Sequence, residues 1–302
     1  MSSHIVAIPN NDNLAAFIGK KGSENSITFY NRSVEGSVVT VLAPTSVEDK
    51  FYAITEILTI ADVIVLSTEN IDRLFGELLI ASALLGKKVI LTSENVDSEL
   101  ITNAKLSNYE ICDRDKLLDI ILKSDIKGEG TGGCRVDIDK AFNVKGIGAV
   151  ALGVVISGTI NVHDELWHSS GKKVLVRSLQ SQDVDVKSAL PGTRIGIGLK
   201  NIDPEEVEKG SILSSFEQKP HKNIKAKLTL SEINKETLIP GNFYGLGSNF
   251  SYAMAKLESI DGETASFVLE KPLALIKGDV FLLLREKAPR IFARGIVQEA
   301  GN

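Results

Sequence analysis

In an α/β domain, the turn after the first strand is the place where a phosphate group can be cradled. A working loop needs glycines, so that backbone N–H groups approach the phosphates, a lysine for the β/γ-phosphates and Ser/Thr for magnesium. After the apolar run Ile5–Ile8 this chain reads Pro9-Asn10-Asn11-Asp12-Asn13-Leu14-Ala15-Ala16. It offers no glycine, lysine or hydroxyl, and Asp12 would repel a phosphate. Turn chemistry makes the stretch a polar helix-capping turn instead. Lys20 and Lys21 lie beyond the helix that follows and are not substitutes.

The other chemically capable residues are dispersed. His4, His163, His168 and His221 lack metal-ligand spacing. His163 and His168 flank Trp167 and read as surface or edge residues of a strand. Ser157-Gly158 and Ser170-Gly171 are turns, because no G-x-S-x-G elbow is present. Cys112 reads as a small core residue. Asp12, Asp62 and Asp72 show no paired acid–base arrangement. No catalytic residue, metal or cofactor is expected.

Composition narrows the class. The 302 residues suffice for two or three domains, and 43% hydrophobic with 24% charged residues is ordinary for a soluble protein. A net charge of −5 gives no global basic field, so any nucleic-acid contact needs a local patch. Cys112 and Cys134 are too few for a disulfide framework or a zinc site, which fits a reducing cytoplasm. No signal-peptide pattern or bilayer-spanning apolar stretch is present.

The elements that position these residues fall into two kinds. Over residues 1–126, Ile5–Ile8, Ile27–Tyr30, Val38–Leu42, Val63–Leu66, Val89–Leu91 and Tyr109–Cys112 read as strands. Ile27–Tyr30 and Val38–Leu42 look like a hairpin of edge strands. Leu14–Lys20, 47–60, Ile71–Leu85 and Asp113–Lys123 read as helices, with Gly86 a stop and Asp113 an N-cap. The alternation predicts a three-layer α/β domain with a mostly parallel sheet. Lys127–Gly133 holds four glycines in seven residues and suits a flexible connection. Beyond it, short β-branched runs punctuated by glycine predict two β-barrels, 134–216 and 221–302, with Asp261-Gly262 a hairpin turn.

Five ordered blocks carry a family likeness: Phe142–Gly153, Val155–Ile160, Val176–Gln180, Ala189–Ile197 and Ile202 to Glu208–Leu213. With them, residues 134–215 resemble the second domain of translational GTPases, notably elongation factor Tu and the archaeal selenocysteine-specific elongation factor. A small selenocysteine-factor-like group of methanogenic archaea is particularly similar. The resemblance makes 221–302 the family's third domain, matched loosely, and 1–126 a degenerate P-loop-GTPase-like α/β domain. Its fold class is thus α/β plus all-β.

In the first domain the resemblance marks where nucleotide motifs would stand. Thr28, between Gly22 and Gly36, is similar in placement to the family's switch threonine. D-x-x-G would follow Val38–Leu42, where the chain has Ala43-Pro44-Thr45-Ser46. N-K-x-D would follow Val89–Leu91, where it has Thr92-Ser93-Glu94-Asn95. Asn10, Asp12, Thr28 and Asn95 are then the positions of a degenerate nucleotide site. Without positioned lysine, magnesium and a water-orienting group, phosphoryl transfer has no apparatus.

The resemblance implies an elongation-factor-like pseudo-GTPase whose barrel faces tRNA or the ribosome. In the family the second domain cradles the aminoacylated acceptor end of tRNA. The matching positions here are Lys145, Gly146, Gly148, Arg177, Gln180 and Arg194. Gly146, Gly148 and Gly153 equally serve barrel turns and bulges, and Lys145 and Arg177 equally read as solvated charges. Two other readings stay open: a protein-interaction or regulatory module of the translation machinery, and GTP binding through an unconventional site.

Overall fold

A computed structural model describes residues 3–34, 36–47, 51–93, 96–124, 133–146, 148–233 and 237–301. The expected connection at 127–133 lies, apart from Gly133, outside the described residues.

The head begins with β1 (Ser3–Ala7), α1 (Asp12–Ile18), β2 (Lys20–Glu24), β3 (Ile27–Val34) and β4 (Ser37–Pro44). It continues with α2 (Tyr52–Ile60), β5 (Val63–Leu66), α3 (Arg73–Leu85), β6 (Lys88–Leu91), α4 (Ser98–Asn103), β7 (Tyr109–Ile111) and α5 (Leu117–Leu122). The sheet order is β2-β3-β4-β1-β5-β6-β7, and β4 through β7 run parallel. Every residue of β1 and β5 is buried, as continuous apolar strands covered on both faces require.

Several expectations for the head are corrected. Ile27–Tyr30 and Val38–Leu42 do form a hairpin, but β4 sits inside the sheet, paired in parallel with β1 from Ser3↔Val38 to Ala7↔Leu42. The edge is β2, a charged strand with no apolar signal to announce it. The second helix starts at Tyr52. Asp113 makes no capping bond; a 3₁₀ turn at Arg114–Lys116 precedes α5. The short α4, capped by Asp97, has no apolar stripe and was not anticipated.

The first barrel comprises β8 (Arg135–Val144), β9 (Gly148–Ser157), β10 (Ile160–Asn161), β11 (Glu165–His168) and β12 (Lys173–Ser181). It is completed by β13 (Val184–Val186), β14 (Ser188–Ala189), β15 (Arg194–Lys200) and β16 (Ile212–Ser214). Its ring runs β11-β16-β8-β9-β15-β12 and is closed by pairing of β11 with β12. The second barrel is a closed ring of β17 (His221–Leu230), β20 (Thr264–Leu273), β19 (Ser251–Asp261), β18 (Phe243–Ser248), β21 (Val280–Leu284) and β22 (Ile291–Gly301). Closure leaves neither ring an unpaired edge among its principal strands. Asp261-Gly262 makes the β19–β20 turn, with Gly262 at φ +56°. The α/β head with two β-barrels is the fold class expected.

The apolar core does not stop at the domain boundaries. Residues of the head, such as Phe29 of β3, Ile57 of α2 and Leu78 of α3, share one cluster with Val154 of the first barrel and with Phe250, Leu282 and Ile291 of the second. Gly247 on β18 permits the close approach: a Cβ there would collide with the Thr55 side chain of α2. Among the described residues, no helix is long and apolar enough to cross a membrane.

Candidate functional site

The β1–α1 turn is occupied by its own hydrogen bonds. Asn10 Nδ2 donates to the Ser67 carbonyl (2.7 Å), and the Ser67 N–H donates back to Asn10 Oδ1 (3.0 Å). Asn11 Oδ1 accepts from the Leu14 N–H, capping α1, while its Nδ2 reaches Ser67 Oγ and Glu69 Oε2 at 2.9 Å each. The two asparagines thus staple the turn to the chain beyond β5. A cavity of about 360 Å³ lies beside it, lined by residues including Asp12, Thr45 and Glu69, and by no lysine or arginine among the described residues. Burial pushes the Asp12 carboxyl up, Lys21 opposing and Glu24 reinforcing. Such a wall suits neutral or cationic groups better than phosphates.

Thr28 is not placed as a switch residue. It is buried in β3, paired in register with Ala43, and its Oγ1 lies 3.0 Å from Thr45 Oγ1. A mobile, solvent-facing threonine is incompatible with that ladder. Asn95 lies outside the described residues.

On the first barrel, Lys145, Gly146 and Gly148 belong to the β8–β9 turn, and both glycines have positive φ, +83° and +92°. Register carries this turn toward Arg177 and Gln180. Phe142 pairs with Val150, Val150 with Gly198 and Gly198 with Ser178, while Leu152, Gly196 and Gln180 form the next row. Arg177 occupies the bulge between Val176 and Ser178 and is exposed. Gln180 is exposed and donates to Asp185 Oδ1 (2.9 Å). One wall of the barrel therefore presents Lys145, Arg177 and Gln180 over a floor thinned by Gly196 and Gly198. Phe142, 38% exposed, stands at the edge of this wall. In the sequence it stands only as the first residue of a family-matching block, and strand alternation against Ala141 is the signal for its exposure.

Arg194 departs from its expected role. It lies at the opposite end of β15, paired with Val154, with its side chain only 10% exposed. Its Nη2 bonds Asp139 Oδ2 (3.0 Å) and Ser23 Oγ of the head (2.8 Å), and the guanidinium sits 3.6 Å above the Phe29 ring. A fork already spent on a carboxylate, a hydroxyl and an aromatic face is a domain clamp, not an RNA contact.

Comparable clamps occur at each domain junction. Lys209 Nζ meets Glu56 Oε2 at 2.6 Å and Ser26 Oγ at 2.8 Å. Between the barrels, Arg135 binds Asp137 and Asp279, each at 2.6 Å, and Asn249 Nδ2 donates to Asp137 Oδ2. From the second barrel, Arg290 binds Glu77 of α3 at 3.0 Å and lies over Phe51, while the Asn249 N–H donates to Thr59 Oγ1. Burial pushes the Glu56, Asp139 and Asp279 carboxyls up, opposed by Lys209, Arg194 and Arg135 respectively.

The histidines also need revision. His168 is buried, not at the surface: its Nδ1 lies 2.8 Å from Ser170 Oγ, and burial pushes its pKa down to about 4. His4 is buried in β1 and also lowered by burial. His163 sits in a turn at φ +76°. Among the described residues, no group of His, Cys, Asp and Glu is arranged to hold a metal ion.

These features agree with what the chain is similar to. Residues 148–214 match the family model described as elongation factor Tu domain 2. An uncharacterised protein of Methanocaldococcus jannaschii is 29% identical over 88% of this chain and 90% of its own length. The selenocysteine-specific elongation factor of the same organism is 27% identical over 78% of this chain, which spans 55% of that factor's length. The crystal structure of translation elongation factor SelB from Methanococcus maripaludis, in complex with the GTP analogue GppNHp, superposes with a TM-score of 0.81. That likeness, at 22% identity, covers 99% of this chain and 80% of SelB, and shows the shared fold. The chain is thus similar to translational GTPases over its first barrel and beyond. Its architecture is that of the selenocysteine-specific elongation factors.

Proposed function

We propose that this chain is an elongation-factor-like protein that binds tRNA or the ribosome through the first barrel and does not hydrolyse GTP. The observation that carries the second half is the β1–α1 turn, where Asn10 and Asn11 are spent on Ser67 and Glu69 and, among the described residues, no cation lines the adjoining cavity. Nucleotide phosphates would meet Asp12 and Glu69 there. The first half is supported by the family likeness and by the wall that groups Lys145, Arg177 and Gln180. Exposed cations beside glycine turns suit phosphate and ribose contacts.

Calorimetry with GTP or GDP and magnesium tests the first element: the expected trace is flat, and a saturable micromolar heat overturns it. Filter binding of tRNA and of ribosomes across a salt series tests the second. Saturable, salt-sensitive retention is expected. Its absence for both, with no co-purifying RNA by the 260/280 nm absorbance ratio, would favour a protein-interaction module instead.

A further inference from the structure

A cavity of about 460 Å³ opens where all three bodies meet. It is lined by Tyr52 and Glu56 of α2, by the Glu208–Ser211 turn of the first barrel, and by Tyr252 and Lys271 of the second. That volume lies within the roughly 300–1,000 Å³ of small-molecule sites. None of its described lining residues belongs to the cavity beside the β1–α1 turn.

Part of the lining is aromatic. Tyr52 stacks on Tyr252 of β19, with centroids 5.1 Å apart and planes at 29°, and the buried Phe250 also lines the cavity. The two barrels touch in the same lining. Ser251 Oγ donates to the Gly210 carbonyl at 3.4 Å, and a Cβ added to Gly210, which has φ +87°, would come 2.8 Å from that hydroxyl.

Two charges of opposite sign reach the cavity from different barrels. Glu208 stands on a turn fixed by its own bonds: its N–H donates to Ser211 Oγ (3.1 Å), and its carbonyl accepts from the Ser211 N–H (3.0 Å). Lys271 stands near the end of β20. Both residues are exposed, and among the described residues neither is held in an ion pair. Lys209 and Glu56, which also line the cavity, are spent on each other at 2.6 Å. Glu208 and Lys271 therefore remain open to a ligand, one anion and one cation carried by separate bodies.

We propose that this cavity binds a free aromatic amino acid, its ring against the Tyr52–Tyr252 pair, its ammonium on Glu208 and its carboxylate on Lys271. A zwitterion gives each of the two side chains a counter-charge, whereas a singly charged ligand leaves one of them without a partner. The inference goes beyond the RNA-binding reading and does not rest on it, since Lys145 and Arg177 are not among the lining residues.

The test is calorimetric titration of the full chain with L-phenylalanine, beside phenethylamine and 3-phenylpropionate, which keep the ring and one charge each. Saturable one-to-one binding of L-phenylalanine is expected. Each single-charge analogue should bind about 10-fold more weakly or worse, the low end for hydrogen bonds to charged groups. Glu208→Gln and Lys271→Met change exposed side chains, so the fold is retained, as circular dichroism would verify. Glu208→Gln should bring L-phenylalanine down to the affinity of 3-phenylpropionate, and Lys271→Met to that of phenethylamine. Absence of saturable heat, analogues that bind as tightly as the amino acid, or equal affinity in the parent and both variants overturns the proposal.

Discussion

Lys209 Nζ and Glu56 Oε2 meet at 2.6 Å across the junction of the first barrel and the head, the carboxylate almost wholly buried and the ammonium partly open to water. Removing the cation leaves an uncompensated buried charge, which costs about 3–5 kcal/mol. Lys209→Met should therefore lower the urea midpoint sharply at pH 7. Joining it to Glu56→Leu should recover most of the loss. A double variant as weak as the single one would show that the pair itself, not the orphaned carboxylate, stabilises the junction.

Acid should weaken the protein through His168. Its pKa falls from 6.5 to about 4 on burial, so the native state binds fewer protons than the unfolded chain between those values. The contribution is complete above pH 6.5 and is lost as pH falls toward 4, up to about 3 kcal/mol at 1.36 kcal/mol per pH unit. Glu56, Asp139 and Asp279 are raised, so their contributions run the other way: present below their unfolded values and lost as pH rises. Comparing denaturation midpoints of the parent and His168→Leu from pH 7 to 4 isolates the histidine. Parallel pH profiles would contradict this assignment.

Lys145 and Arg194 should separate binding from stability. If tRNA is held on the barrel wall, Lys145→Ala and Arg177→Ala each weaken retention and reduce the salt slope by about 0.9. Arg194→Ala should instead lower the melting temperature, because Asp139 loses its buried partner. An Arg194 variant with normal stability but weak RNA binding would restore that residue to the interface.

Gly247→Ala tests the docking of α2 on the second barrel. The new methyl collides with Thr55, so a loss of about 1–3 kcal/mol is expected from overpacking. Thr55→Ala in the same chain should relieve it, a rescue that thermal denaturation would detect.

Much of the fold could be read from local pattern. Val63–Leu66 announced a strand buried on both faces, Gly86 ended its helix in the left-handed conformation at φ +64°, and Asp261-Gly262 placed a hairpin. Those signals are short in range. β2 escaped because Lys20–Glu24 is held by cross-strand bonds to β3 and has no apolar alternation of its own. His168 escaped because burial depends on how β11 packs between β12 and β16, not on the residues flanking it. Arg194 was misassigned for a related reason. A basic residue in a matched block looks available until a second domain, bringing Ser23 and Phe29, is laid across it. The emptiness of the first turn was legible as missing residue types, whereas the use of Asn10 and Asn11 as staples needed the chain near Ser67 in view.

The junctions also have a mechanical meaning when taken together. Head and first barrel are pinned by Glu56–Lys209, the two barrels by Arg135–Asp279, and second barrel and head by Glu77–Arg290. Three bodies joined pairwise at three corners make a triangulated frame, and a triangle, unlike a chain of three links, has no shearing mode. Rotating any one body as a unit requires two corners to part at once.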